Sequence, residues 1–226
     1  MSVMKNVNSY CIELSDEEIR DKTHRHFVGG MWDELGPLQF DFLIESGLKP
    51  NHKLLDIGCG CLRGGVHYID YLSEGNYFGL DINSSLIEAG KIEVEEAGLS
   101  HKKPILMVDD EFSFEKFGTK FDFMISVSVF THLPANIIVQ CLKKARECLT
   151  DDGIYYSTFF QAPTSLHLDP VIQESGEVVT KYNSDPFHLS IDELADIATL
   201  ANLELDVVGD WGHPRGQKMA AFRLPK

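Results

Sequence analysis

The chain has 226 residues, of which 43% are hydrophobic and 24% are charged, and its formal net charge is −15 at pH 7. This length allows a sizeable buried core, and the composition is that of an ordinary globular protein, which argues against disorder. No apolar run reaches the roughly 18 residues that a membrane-spanning helix needs, so we expect none. An acidic surface repels polyanions, and we therefore expect no nucleic-acid partner.

The cysteines and the N-terminus indicate the expected compartment. Residues 1–6 lack the apolar stretch and the cleavage site of a signal peptide. The cysteine count is odd, and no CxxC pair with metal-ligand spacing occurs. We therefore expect reduced thiols, a cytoplasmic protein and no metal site. The cysteines are Cys11, Cys59, Cys61, Cys141 and Cys148.

The first fifty residues carry helical patterns. A capping box of the form Ser-x-x-Glu begins at Ser15, which predicts a helix start. The spacing of Leu38, Phe42 and Leu43 indicates a second helix. We therefore expect a helical segment over residues 1–50, ahead of a domain that occupies residues 51–226.

Strand-like and helix-like segments alternate from residue 53 onward. A second capping box at Ser85 predicts a helix as far as Gly98, and Pro134 suits the first turn of another helix, which Asp152-Gly153 would end. The alternation predicts βαβ units and a mostly parallel sheet in an α/β fold. The expected strands occupy residues 53–57, 76–80, 104–108, 121–127 and 154–160.

The C-terminal part departs from this alternation. Residues 162–189 are rich in proline and polar residues, which predicts a lid-like insertion over the sheet. A third capping box at Ser190 predicts a helix to about Asn202. Two further apolar runs, residues 203–208 and 218–224, predict a terminal hairpin.

A glycine-rich turn follows the first strand, where ligands of open α/β sheets bind. Gly58 and Gly60 fit the beginning of a dinucleotide fingerprint, but Arg63 stands where that fingerprint needs glycine or alanine. The carboxylate of Asp56 would help a pyrophosphate little, whereas it would attract a sulfonium and an ammonium group. The turn therefore favours S-adenosylmethionine over NAD.

Acidic residues also end the next two strands. Asp81 could accept both ribose hydroxyls, and Asp109 or Asp110 could accept the adenine amino group. Each of these acids could instead be a solvated loop residue or a helix cap. Acids at three successive strand ends are harder to explain by solvation, so together they indicate a binding site.

These motifs, at residues 54–60, 79–81, 108–110 and 121–126, resemble those of class I S-adenosylmethionine-dependent methyltransferases over roughly residues 50–225. The resemblance implies a Rossmann-like sheet of about seven strands with its last strand antiparallel. It implies that Gly58 and Gly60 face the methionine part, Asp81 the ribose, and Asp109 or Asp110 the adenine. Cys59, Ile82 and Ser126 lie in the same motifs and are assigned to the cofactor site with them.

One position departs from the family pattern. The family often has a third glycine two positions after the second, and this chain has Leu62 there, followed by Arg63 and Gly64-Gly65. Arg63 could bind the carboxylate of the cofactor or cap the next helix.

The fourth strand end flanks the transferable methyl group in this family, which places Phe130 and His132 near the acceptor. Histidine as a residue type suits general-base catalysis, so His132 could be the base, although it could instead cap the helix at Pro134 or pack structurally. His213 and Arg215 lie in the hairpin loop, and Arg215 would suit a carboxylate or phosphate on the acceptor. We also assign His188, in the insertion, and Trp32 to the substrate side. Trp32 would cover the cofactor or pack on the domain's own helices.

The function that follows is S-adenosylmethionine-dependent methyl transfer to an oxygen or nitrogen of a small molecule, such as a secondary metabolite or a saccharide. An NAD-dependent oxidoreductase and a non-catalytic S-adenosylmethionine-binding module are the alternatives. Arg63 and the terminal hairpin argue against the oxidoreductase, while the sequence does not separate an enzyme from a binding module.

Overall fold

A computed structural model describes residues 12–175 and 178–226. Cys11 and the start of the predicted N-terminal segment lie outside the described residues. The chain divides into two compact units, the first ending at Glu111 and the second beginning at Phe112. Within these ranges no helix has the length and apolar character needed to cross a bilayer.

The first unit contains the N-terminal helices and three strands. The capping box at Ser15 forms as predicted, because the Ser15 hydroxyl accepts from the Glu18 amide and the Glu18 carboxylate accepts from the Ser15 amide. The elements are α1 (Asp16–Arg20), α2 (Thr23–Phe27), α3 (Trp32–Glu45), β1 (Leu54–Ile57), α4 (Gly65–Tyr71), β2 (Tyr77–Asp81), α5 (Ser84–Glu96) and β3 (Ile105–Val108).

The second unit contains the remaining strands and two longer helices. The inward face of α6 is apolar and includes Cys141 and Cys148, which are both buried. The elements are β4 (Phe121–Ser126), α6 (Ala135–Cys148), β5 (Leu149–Phe159), β6 (Val171–Ile172), β7 (Val179–Thr180), α7 (Ile191–Leu200), β8 (Glu204–Asp210) and β9 (Lys218–Arg223).

Seven strands form one sheet in the order β3-β2-β1-β4-β5-β9-β8. In the first unit β1 pairs with β2 and β2 with β3, all parallel. In the second unit β4 pairs parallel with β5, whereas β5, β9 and β8 pair antiparallel. The predicted α/β fold with a C-terminal antiparallel hairpin is confirmed. The insertion at residues 162–189 adds the separate two-stranded ribbon β6-β7.

The start of α5 differs from the prediction. The helix begins at Ser84, and the side-chain oxygen of Asn83 accepts from the amides of Ser85 and Leu86 at 2.9 and 3.2 Å. The predicted capping box at Ser85 is therefore wrong, because Asn83 already satisfies these first amides. The Ser85 hydroxyl instead accepts from the amide of Leu14 at 2.9 Å.

The end of α6 also differs from the prediction. The helix stops at Cys148 and β5 begins at the next residue, so Asp152-Gly153 lies inside a strand. The register of β5 against β4 shifts between Phe121 and Phe123, which marks a bulge. A Cβ at Gly153 would lie 2.9 Å from the Phe121 carbonyl oxygen, so this bulge requires glycine.

Candidate active site

The glycine-rich turn after β1 is tied to the neighbouring strand β2. Gly58 and Gly60 adopt φ angles of +68° and +54°, which glycine tolerates at little cost. The amides of Gly58 and Cys59 both donate to the Leu80 carbonyl oxygen, at 2.8 and 3.0 Å. The turn is therefore held against the end of β2.

Asp81 joins this turn to the start of α5. Its Oδ2 accepts from the Gly60 amide and its Oδ1 from the Asn83 amide, each at 2.9 Å. The residue is only 8% exposed, and burial raises its pKa, while the amides of Asn83, Gly60 and Ile82 oppose the rise. A carboxylate has about four acceptor positions, so these three amides leave capacity for a further donor such as a ribose hydroxyl.

Asp56 is the buried acid one residue before the end of β1. The Tyr77 hydroxyl donates to its Oδ2 at 2.8 Å. Burial raises the pKa of Asp56 to about 7; the Tyr77 hydrogen bond and Arg63 oppose this rise, whereas the Asp81 carboxylate adds to it. A carboxyl group with this pKa is near half ionisation at neutral pH, and a cation beside it would favour the ionised form. The site therefore fits a ligand with a cationic end.

Asp109 follows β3 and lies next to the end of β2. Its amide donates to the Asp81 carbonyl oxygen at 3.0 Å, and its Oδ2 accepts from the Glu111 amide at 3.1 Å. Asp109 is buried and Asp110 is half-buried. The structure thus brings Asp81 and Asp109 to one edge of the sheet, as the spacing predicts.

Arg63 binds the N-terminal segment. One guanidinium nitrogen, Nη1, donates to the carbonyl oxygens of Val28 and Gly30 at 3.0 and 2.9 Å. Two roles are predicted for Arg63 from the sequence, binding the cofactor carboxylate or capping the next helix. The contacts with the Val28 and Gly30 carbonyl oxygens belong to neither role.

Residues 22–32, here called the N-terminal cover, pack on the glycine-rich turn. A Cβ at Gly60 would lie 3.1 Å from Cγ1 of Val28, so this side chain rests directly on the turn. The Cys61 thiol donates to the His24 carbonyl oxygen at 3.6 Å. Trp32 packs against the cluster that includes Cys61 and Leu86, and the Arg25 guanidinium lies 4.3 Å from the centre of its ring.

The cover is also anchored on α5 by Glu93. Arg25 donates to both carboxylate oxygens of Glu93, at 2.7 and 2.6 Å, and His24 Nε2 lies 2.8 Å from Oε1. The Glu93 side chain is only 5% exposed. Burial acts to raise the pKa of Glu93, but the hydrogen bonds from Arg25 and His24, together with the charges of Arg25 and Lys22, lower the pKa below its ordinary value.

In the second unit, His132 pairs with an acid of the insertion. Its Nδ1 lies 2.6 Å from Oδ1 of Asp185, and the two side chains are 19% and 21% exposed. Phe130, two residues earlier, is buried against the rings of Tyr155 and Phe222.

The other predicted residues of this unit lie in hydrogen-bonded positions. Both ring nitrogens of His188 have partners, Thr180 Oγ1 at 2.8 Å and the His167 carbonyl oxygen at 2.7 Å. His213 is buried and its Nδ1 accepts from the Arg215 amide at 3.1 Å, while Arg215 itself is half-buried. The fully buried Ser126 hydroxyl bonds to the hydroxyls of Tyr155 and Ser157, at 2.9 and 2.7 Å.

Sequence reasoning missed Tyr77, Asn83 and Glu93. Asn83 carried a usable signal, because asparagine just before a helical pattern is a common N-cap. Tyr77 and Glu93 carried none, since their contacts depend on strand register and on the docking of α2. In the described ranges, no group of three or more His, Cys, Asp or Glu side chains could hold a metal ion.

Residues 55–155 match a family model described as a methyltransferase domain. This match runs from β1 into β5 and includes Asp56, Gly60, Asp81 and Asp109. The matched segment is therefore similar to a methyltransferase domain.

Among curated proteins, the chain is similar to the ubiquinone biosynthesis O-methyltransferase of Hahella chejuensis, with 24% identity over 167 residues. This similarity covers 68% of the chain and 65% of that relative, so the chain spans less than two thirds of the relative's length. A second ubiquinone biosynthesis O-methyltransferase, from Dechloromonas aromatica, is 27% identical over 184 residues, covering 76% of the chain and 72% of the relative.

Solved structures support the fold. A magnesium protoporphyrin IX methyltransferase from Synechocystis, crystallised with S-adenosylmethionine, matches 84% of this chain and 81% of its own, with a TM-score of 0.60 and 15% identity. An S-adenosylmethionine-dependent methyltransferase from Clostridium acetobutylicum matches 93% of this chain and 99% of its own, with a TM-score of 0.67 and 11% identity.

Proposed function

We propose that the chain transfers the methyl group of S-adenosylmethionine to an oxygen or nitrogen atom of a small molecule, such as a secondary metabolite or a saccharide. The main support is the Asp81 carboxylate, which binds the Gly60 amide of the glycine-rich turn and keeps acceptor capacity for a ribose. The name of the Hahella relative favours oxygen as the methylated atom. The net charge of −15 disfavours a nucleic-acid substrate.

The residues of the first unit would hold the cofactor. Asp81 would accept the ribose hydroxyls, Asp109 or Asp110 the adenine amino group, and Asp56 would lie near the cationic methionine end. When bound, S-adenosylmethionine supplies an electrophilic methyl group on a positively charged sulfur. The N-terminal cover, with Trp32 at its end, would limit access of water to the glycine-rich turn.

His132 is the proposed general base. The Asp185 carboxylate at its Nδ1 favours the tautomer with a proton on that nitrogen, which makes Nε2 the basic atom. A base of this kind would take the proton from the acceptor's hydroxyl or amino group. Phe130, His188, His213 and Arg215 remain proposed residues of the acceptor side.

Transfer of a labelled methyl group tests this function. The purified chain is incubated with methyl-labelled S-adenosylmethionine and a panel of phenols, saccharides and amines, and we expect labelled product from at least one class. If S-adenosylmethionine binds but no acceptor becomes labelled, the chain is a binding module and the proposed transfer is wrong.

A substitution tests the base. His132→Gln should lower kcat about 100-fold or more with little change in KM for S-adenosylmethionine, because a general base contributes to the chemical step. His101→Gln, at an exposed histidine, is the matched control and should leave both constants unchanged. An unaltered kcat in His132→Gln would reject this role.

A further inference from the structure

The route by which Tyr77 reaches Asp56 is built into the sheet. Asp56 pairs with Gly79 in the register of β1 and β2, and Tyr77 lies two residues before Gly79 on the same face. A Cβ at Gly79 would lie 3.2 Å from Cε1 of Tyr77 and 3.0 Å from Sγ of Cys59. The absence of a side chain at position 79 therefore leaves room for the tyrosine ring to run along the strand to the carboxylate.

A second glycine makes room for the hydroxyl group itself. A Cβ at Gly65, in the first turn of α4, would lie 2.7 Å from the Tyr77 hydroxyl oxygen. Any larger residue there would displace the hydroxyl from Asp56. This requirement explains one of the two glycines that follow Arg63, where the chain departs from the family pattern.

The groups around Asp56 come from each element packed against it. Tyr77 and Asp81 belong to β2, Arg63 and Cys59 to the turn, and Tyr68 to α4. Arg63 favours the ionised form of Asp56, whereas Asp81 and burial disfavour it. The neutral Tyr77 hydroxyl donates a hydrogen bond to this carboxylate at 2.8 Å.

We propose that Tyr77 is a positioning residue for cofactor binding, because its hydroxyl fixes Oδ2 of Asp56 and favours the carboxylate form that attracts the cationic end of S-adenosylmethionine. This inference rests on the proposed function, in that the ligand is S-adenosylmethionine. Tyr77 itself need not touch the ligand.

Tyr77→Phe tests the proposal against a closely matched control. Tyr68 is equally buried and stacks on Tyr77 with a centroid distance of 6.4 Å. Its hydroxyl has no hydrogen-bond partner among the residues that the structure describes. Tyr68→Phe therefore removes the same atom from the same aromatic stack without removing a bond to Asp56.

The measurement is the Kd for S-adenosylmethionine, obtained by calorimetry on the full chain from about pH 5.5 to about pH 8.5. In the unchanged protein, Kd should rise as the pH falls through the Asp56 pKa of about 7. Tyr77→Phe should move this transition to higher pH and weaken binding roughly 10-fold at neutral pH, because loss of the hydrogen bond raises that pKa. Tyr68→Phe should leave the midpoint in place. A uniform weakening of binding at every pH in Tyr77→Phe would overturn the proposal.

A ligand-free readout separates this inference from the proposed function. Carboxyl signals of the free protein, observed by NMR after ¹³C labelling of aspartate, should include one that titrates near neutral pH and is absent in Asp56→Asn. In Tyr77→Phe its midpoint should move upward, and an unmoved midpoint would overturn the proposal. Failure of S-adenosylmethionine to bind at any pH would contradict the proposed function, while the carboxyl titration would still test the role of Tyr77.

Discussion

Leu62 adopts a φ of +69°, in the left-handed region that residues with a Cβ rarely occupy. It stands where the family often has a glycine, so the turn keeps the glycine-like backbone with a leucine in place. Its side chain is fully buried, and Cβ atoms at Gly65 and Gly90 would lie 2.8 Å from its atoms. The burial of this side chain between two glycines offsets the conformational cost of about 1 kcal/mol or more.

This packing predicts an unusual response to Gly90→Ala. Replacing a glycine inside a helix by alanine normally stabilises the helix by about 1 kcal/mol. Here the new Cβ would meet Cγ of Leu62, so we expect a loss of about 1–3 kcal/mol in the free energy of unfolding, measured by urea denaturation. In a Leu62→Ala background the same change should stabilise the protein. Stabilisation by Gly90→Ala in the unchanged chain would show that Leu62 does not fill this space.

At the scale of elements, α2 is held to α5 by polar contacts to the buried Glu93 carboxylate. Glu93 binds both Arg25 and His24, while the nearby pair of Lys22 and Glu96 is about half exposed. A buried ionic group that loses its partner destabilises the fold strongly, whereas an exposed ion pair contributes little to the free energy of folding. Glu93 should therefore control the docking of the N-terminal cover.

The matched substitutions Glu93→Gln and Glu96→Gln test this role. Glu93→Gln should lower the free energy of unfolding by about 3 kcal/mol and speed hydrogen exchange in residues 22–32. Glu96→Gln should change stability by less than about 0.5 kcal/mol. Because the folded-state pKa of Glu93 is lowered, its contribution is present above the ordinary pKa of 4.5 and is lost as the pH falls through the folded value. Equal effects of the two substitutions would contradict the assignment.

Local sequence signals predicted the start or end of an element correctly where no other residue or long-range contact determined that boundary instead. The capping box at Ser15 forms, and Ser190 caps α7 as expected. The box at Ser85 fails because Asn83 stands two residues earlier and caps the helix first. Gly153 does not end a helix because β5 already pairs with β4 from Leu149 onward, which is a long-range contact, and Gly153 falls at the bulge in that pairing.

At the scale of the whole molecule, the alternation of strands and helices was enough to predict the α/β sheet, and two further apolar runs predicted its terminal hairpin. It also predicted which acids stand at strand ends, because that depends only on strand boundaries and the parallel order. The hydrogen bond of Tyr77 to Asp56 and the docking of Val28 on Gly60 were not predictable, since both depend on register and packing between segments distant in sequence.

The central claim is that the first unit binds S-adenosylmethionine through Asp81, and calorimetric titration tests it most directly. The unchanged chain should bind S-adenosylmethionine and its demethylated product at one site and should not bind NAD. Asp81→Asn should weaken that binding roughly 10- to 100-fold, through loss of charge-assisted hydrogen bonds. The exposed substitution Asp70→Asn should leave it unchanged. Binding of NAD in preference to S-adenosylmethionine, or an unchanged affinity in Asp81→Asn, would contradict the account.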